Sequence, residues 1–145
     1  MTHKIHILNG PNLNKLGKRE PEIYGYTTLG EIEQWCSKAA RGPLEFKQTN
    51  HEGALIEMIH QAEDEADGLI INPAGYSFTS VGVFDALKIV EGPVIELHIS
   101  NIHARDALHQ HSLLSAAVTA VICGLGPRGY LTAMGAMYEM LDARG

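Results

Sequence analysis

The run Gly68-Leu69-Ile70-Ile71-Asn72 is apolar at consecutive positions. Successive side chains of a strand point to opposite faces, so this segment is stable only where both faces are covered. That condition is met in a parallel sheet with helices on either side. The rest of the chain supplies those partners in alternation. Strand patterns fall at Lys4-Ile5-His6-Ile7-Leu8 and at residues 44–49, 94–98 and 117–123, with turn residues between them. Helical patterns fall at residues 28–41, 53–66, about 79–90 and 127–143, with a short helix near Arg105. Thr27 or Thr28 caps the first helix and Gly42-Pro43 ends it, while Gly92-Pro93 closes the third. The alternation predicts a single α/β domain over residues 1–145, built on a doubly wound, five-stranded parallel sheet.

Such a sheet binds ligands beyond the carboxyl ends of its strands, near the reversal in strand order. The segments that would meet there are Asn9 to Asn12, Asn72 to Ser77 and His98 to Asn101, all rich in polar side chains. From Asn9 to Tyr24 the chain carries enough Gly, Pro and Asn to read as irregular, and it is longer than most connections in a compact domain. Long ordered loops at strand ends commonly serve as lids or binding loops. This one holds Lys15, Lys18, Arg19 and Tyr24 in an otherwise acidic chain. Fixed cations favour the phenolate form of a nearby tyrosine, which makes Tyr24 a candidate base with Arg19 as its partner. A turn tyrosine beside solvated charges fits the same residues.

Glu96-Leu97-His98 places a carboxylate and an imidazole two residues apart, on one face of a strand. That is the arrangement of a general acid with its supporting carboxylate, and equally of a satisfied strand histidine. His3, His6, His51 and His60 read as surface or core-edge residues. The eight histidines include no His-Glu-x-x-His set, and His109 and His111 cannot share one helical face, so a metal site is not expected. Gly124-Leu125-Gly126-Pro127-Arg128-Gly129 has the spacing of a dinucleotide loop. Only sixteen residues follow it, too few for the strand that carries the ribose-binding acid, so it reads as a tight βα turn. No Gly-x-Ser-x-Gly elbow is present.

The net charge of −6 argues against nucleic-acid binding, and no apolar run suits a membrane span. Neither a signal-peptide core nor a disulfide framework appears, with Cys36 and Cys123 far apart. A cytoplasmic location is therefore expected.

Taken together, Asn9-Gly-Pro-Asn-Leu-Asn through Gly17, Arg19-Glu-Pro to Tyr24-Gly25, Gln48-Thr-Asn-His-Glu-Gly, Ile71-Asn-Pro, Glu96-Leu-His-Ile-Ser-Asn and Gly124 to Tyr130 resemble, in order, the blocks of the type II 3-dehydroquinate dehydratases. The resemblance implies a flavodoxin-like fold with a catalytic lid over about residues 10–26. It implies a cofactor-free, metal-free anti elimination of water from 3-dehydroquinate, giving 3-dehydroshikimate, in the shikimate pathway or in quinate catabolism. By that likeness Tyr24 removes the C2 proton, Arg19 keeps it ionised, and Asn12 holds a water at the enolate oxygen. His98, backed by Glu96, protonates the leaving C1 hydroxyl. Asn72 and the amides of Ile99 and Ser100 bind the substrate carboxylate. Asp85 reaches the site of an adjacent subunit in a homo-oligomer, a dodecamer built as a tetramer of trimers. Three positions depart from the family pattern: Phe78 stands where a histidine is usual, and Phe84 and His109 where arginines are. In the family, the usual residues at the first and third of these positions contact ring hydroxyls of the substrate. Two alternatives follow from this, a lyase for a less hydroxylated carboxylate-bearing ring and a non-catalytic anion-binding relative.

Overall fold

The computed structural model describes residues 2–18 and 20–144. Five parallel strands, β1 (Ile5–Asn9), β2 (Leu44–Gln48), β3 (Gly68–Asn72), β4 (Val94–His98) and β5 (Ala120–Cys123), form one sheet in the order β2-β1-β3-β4-β5. This is the flavodoxin-like order, with its reversal between β1 and β3. β1 and β3 are in register from Ile5 opposite Gly68 to Asn9 opposite Asn72, so both central strands end in a buried asparagine at the same level.

Helices cover both faces, as the apolar β3 requires. Helix α1 (Pro21–Tyr24) is a single turn; α2 (Leu29–Ala39) and α5 (Gly129–Arg144) cover one face of the sheet, while α3 (Glu52–Glu65) and α4 (Val81–Ile89) cover the other. The alternation of the strands sorts the core accordingly. Ile5, Ile7, Ile70, Ile95 and Leu97 pack with Ile32, Cys36 and Met137, whereas Leu8, Leu69 and Ile71 pack with Leu55, Ile59 and Leu87. Of the two threonines expected to cap α2, Thr28 does so, and it forms a capping box in which Thr28 and Glu31 exchange hydrogen bonds. Ser80 caps α4 by accepting from the Val83 amide at 2.9 Å.

Several boundaries differ from those expected, each for a local reason. The stretch from Asn9 to Tyr24 is not wholly irregular. It contains a 3-10 turn at Leu13–Lys15 and the α1 turn, in which Pro21 lends its fixed backbone angle to the first helical position. β5 begins at Ala120, not at 117, because Leu113–Ala117 closes into a 3-10 turn whose Leu114 is buried. Thr119 then clamps the start of β4, its amide donating to Val94 O at 2.9 Å and its hydroxyl accepting from Val94 N at 3.0 Å. In place of a helix near Arg105 there are two short 3-10 turns, Ile102–Ala104 and Ala107–His109. The glycine-rich segment is the tight turn expected, with Gly124 and Gly126 at φ 90° and 70°.

His51 and His60 are exposed and His3 lies buried at the core edge beside Asp142, but His6 is fully buried, a correction to its reading as a surface or core-edge residue. His6 lies on a central strand, and neither ring nitrogen has a hydrogen-bond partner among the described residues. Glu65 Oε2 lies 3.7 Å from its Nε2. Burial holds the His6 imidazole below its ordinary pKa of 6.5; Lys4 and Lys47 add to this, and Glu45 and Glu65 oppose it. The unfolded chain therefore binds this proton more readily, and folding stability falls as pH drops below about 6.5. His6→Leu removes that proton site along with two unsatisfied nitrogens, whose burial costs about 1–3 kcal/mol each, less any strain from the new side chain. Thermal unfolding between pH 5 and 8 is expected to show a midpoint roughly 3 °C higher at neutral pH and a flatter acid limb. An unchanged acid limb would show that His6 is not the group being protonated.

Candidate active site

A cavity of about 130 Å³ opens at the carboxyl ends of β1, β3 and β4, beside the reversal in strand order. Pro11, Asn12 and Leu13 line it from the β1 loop, with Asn72, Ala74 and Phe78 from the β3 end and His98, Ile99 and Ser100 from β4. Tyr24, Ile102, Arg105 and His109 also line it. The three polar strand ends thus converge as their sequence positions implied.

Tyr24 is only 8% exposed and packs its ring with Leu13 and Leu16. Its hydroxyl oxygen accepts a hydrogen bond from Arg105 Nη1 at 2.9 Å. The same guanidinium lies 3.8 Å from Glu20 Oε2, so Arg105 meets the lid at two points. Arg19, expected as the tyrosine's cation, lies outside the described residues. Arg105 is a cavity-lining side chain that the sequence reading did not place at the site. It stands 81 positions from Tyr24, in a segment noted only for its helical pattern. The available clue was its place just after β4, on the ligand-binding edge of the sheet.

His98 and Glu96 do face the same way, and His98 Nε2 is hydrogen-bonded to Glu96 Oε2. This leaves Nδ1 as the ring atom to meet a ligand. Glu96 is fully buried, and its other oxygen accepts from Ser115 Oγ at 2.7 Å. Burial alone pushes its carboxyl pKa up. The bonds with His98, Ser115 and Ser112 together outweigh that and hold it below the usual carboxylate value. The buried carboxylate behind the imidazole fixes the orientation of the His98 ring.

Asn72 is anchored from two sides. Its Oδ1 accepts from Ala74 N at 3.2 Å, and its Nδ2 donates to Tyr130 Oη at 3.0 Å. The Tyr130 hydroxyl donates onward to Asn9 Oδ1 at 2.7 Å, and Asn9 Nδ2 donates to Lys47 O at 3.0 Å. One N–H of the Asn72 amide stays available to an anion, since the group carries two. Burial pushes the Tyr130 hydroxyl pKa upward, so it serves here as a neutral donor. Tyr130 and Asn9 are further residues whose part was not read from the sequence, although both fall within the blocks that carry the family resemblance.

Phe78 stands between the two histidines. Its ring meets His109 edge-on at 5.4 Å and lies 6.4 Å from the His98 ring. His109 lines the cavity and pairs through Nδ1 with Asp106 Oδ1 at 2.8 Å. Asp85 is exposed on α4 and does not line this cavity. Phe84 is half-buried against the α3–α4 core. Among the described residues, no group of three His, Cys, Asp or Glu side chains is placed to hold a metal ion. No helix there is long and apolar enough to cross a membrane.

A flavodoxin-like domain whose cleft joins a phenol held by a guanidinium to an imidazole backed by a carboxylate has the makings of an acid–base enzyme for a small molecule. Residues 3–138 match the family described as dehydroquinase class II, and the chain belongs to that family. It is 50% identical to a 3-dehydroquinate dehydratase of Dinoroseobacter shibae over 142 residues, covering 96% of this chain and 95% of the relative. It is 48% identical to 3-dehydroquinate dehydratase 1 of Agrobacterium fabrum, over 94% of this chain and 97% of that one. The crystal structure of type II dehydroquinase from Propionibacterium acnes superposes with a TM-score of 0.92 at 42% identity, covering 96% of this chain and 98% of the other.

Proposed function

We propose that this protein is a hydro-lyase that converts 3-dehydroquinate to 3-dehydroshikimate by anti elimination through an enolate, with Tyr24 as base and His98 as acid. The observation that carries the reading is that both side chains line one cavity, each with a charged partner: Arg105 at the phenol and Glu96 at the imidazole. The Tyr24 phenolate takes the C2 proton, and the C–H electrons pass into the carbonyl as an enolate. The enolate then collapses to the conjugated enone and expels the C1 hydroxyl, which leaves as water with the proton from His98. Asn12, at the cavity wall, suits a water-mediated contact to the enolate oxygen, where stabilising developing charge has most effect.

The remaining Asn72 N–H and the amides of Ile99 and Ser100 suit the substrate carboxylate. Backbone donors allow an acidic protein to hold an anion. Arg19 is assigned a supporting charge at Tyr24. The exposed Asp85 is assigned to the site of a neighbouring copy in a dodecamer of four trimers, and the enzyme to the cytoplasm. The names borne by relatives at about half identity favour 3-dehydroquinate over a less hydroxylated ring. Keeping both Tyr24 and His98 at the cleft weighs against a non-catalytic anion binder.

The deciding experiment incubates purified protein with 3-dehydroquinate and follows the enone absorbance, with Tyr24→Phe as control. Folded protein that gives no turnover defeats the proposal. Phe78 cannot donate a hydrogen bond to a substrate hydroxyl, a contact worth about 0.5–1.5 kcal/mol plus any desolvation cost. Restoring donors with the pair Phe78→His and His109→Arg is therefore expected to raise kcat/KM roughly tenfold. An unchanged kcat/KM in the double variant would mean that neither position meets a ring hydroxyl.

A further inference from the structure

Asn12 is one of three non-glycine residues with positive φ among those described, at φ 71° and ψ −4°. A left-handed residue at a functional site persists only where its surroundings enforce it. The enforcing contact is Asn50, whose Oδ1 accepts the Asn12 backbone N–H at 2.9 Å. Asn50 is itself held from two directions. Gln48 Nε2 donates to the same Oδ1 at 3.1 Å, and to Gly10 O at 3.1 Å. Tyr76 Oη donates to the Asn50 carbonyl at 2.9 Å. Asn50, just past β2, thus joins the ends of three strands, its carboxamide meeting the β1 loop and β2 and its backbone carbonyl meeting Tyr76 after β3. Two donors converging on one oxygen also fix which way the Asn50 amide faces.

We propose that Asn50 is a positioning residue for the elimination: with Gln48 and Tyr76 it locks the left-handed turn that presents Asn12 to the cavity. Its role in turnover rests on the dehydratase reading above; its role in holding the turn does not. Asn50 sets where the enolate-stabilising group sits and makes no contact with substrate, so its loss acts on kcat more than on KM.

The test pairs hydrogen–deuterium exchange of the peptide spanning residues 10–16 with steady-state kinetics on full-length Asn50→Ala, Asn50→Asp and Gln48→Met. Asn50→Ala is expected to speed exchange of that peptide at least about fivefold and to lower kcat about tenfold, with KM changed less than about threefold. Asn50→Asp keeps an oxygen for both donors and is expected to recover most of both readouts. Gln48→Met leaves the acceptor in place but unbraced, and should give a smaller rise in exchange. The proposal is overturned if Asn50→Ala leaves exchange at the wild-type rate, if Asn50→Asp behaves like Asn50→Ala, or if exchange rises while kcat does not fall. Wild-type protein inert toward 3-dehydroquinate would defeat the dehydratase reading and the kinetic role with it, while exchange alone still decides the brace.

Discussion

Tyr24→Phe is expected to lower kcat for 3-dehydroquinate by about a thousandfold or more while leaving the fold intact. The substitution deletes one oxygen. The ring stays in the cluster it shares with Leu13 and Leu16, so packing is nearly conserved. What disappears is the only atom of this side chain able to take the C2 proton, and positioned acid–base groups typically contribute 10²–10⁴-fold. Arg105 loses one acceptor but remains near Glu20 and partly solvated, which keeps the stability cost small. Rapid-quench and steady-state assays, read alongside an unfolding curve, check both halves of this expectation. Residual turnover above a tenth of wild type would assign the base elsewhere.

Arg105→Met is the second large effect. A full charge about 4 Å away, at an effective dielectric near 20, is worth about 4 kcal/mol to an anion. The Arg105 side chain is 15% exposed, so solvent screening reduces that figure. A loss of roughly 2–4 kcal/mol corresponds to a fall of about thirtyfold to a thousandfold in kcat. Arg105→Lys keeps the charge but not the planar fork that spans Tyr24 and Glu20, and should recover only part of the activity. Methionine at this position with kcat within threefold of wild type would remove Arg105 from the account. The same variant frees the lid from its contact beyond β4, so cleavage by a protease within residues 10–26 is expected to quicken.

The sheet was readable because its signals are local. The unbroken apolar β3, the N-cap threonine before α2 and the Gly-Pro stops after the helices each act within a few residues, and together they impose the alternation of strand and helix. The pair Glu96 and His98 was readable for the same reason, since a strand's period of two puts both on one face. Arg105 was not, because its partner Tyr24 lies 81 positions away in the sequence and no local pattern joins them. Tyr130 was hidden inside a segment explained by its turn glycines. His6 sits in a strand pattern that a histidine fits poorly. Its burial follows from β1 lying between two neighbours under α3, which only the strand order reveals. The start of β5 was misplaced because Leu113–Ala117 is as apolar as a strand but curls to bury Leu114.

The hydrogen-bonded floor of the cleft has a consequence for biosynthesis on the ribosome. Its central hydroxyl, Tyr130, belongs to the first turn of α5, after every strand has been made. A nascent chain that has already emerged through β5 holds the lid, Tyr24, Arg105 and His98, yet leaves the Asn9 and Asn72 amides unbridged. The Asn9–Tyr130–Asn72 bridge therefore forms late in translation, when α5 docks, and not gradually as the earlier strands pair.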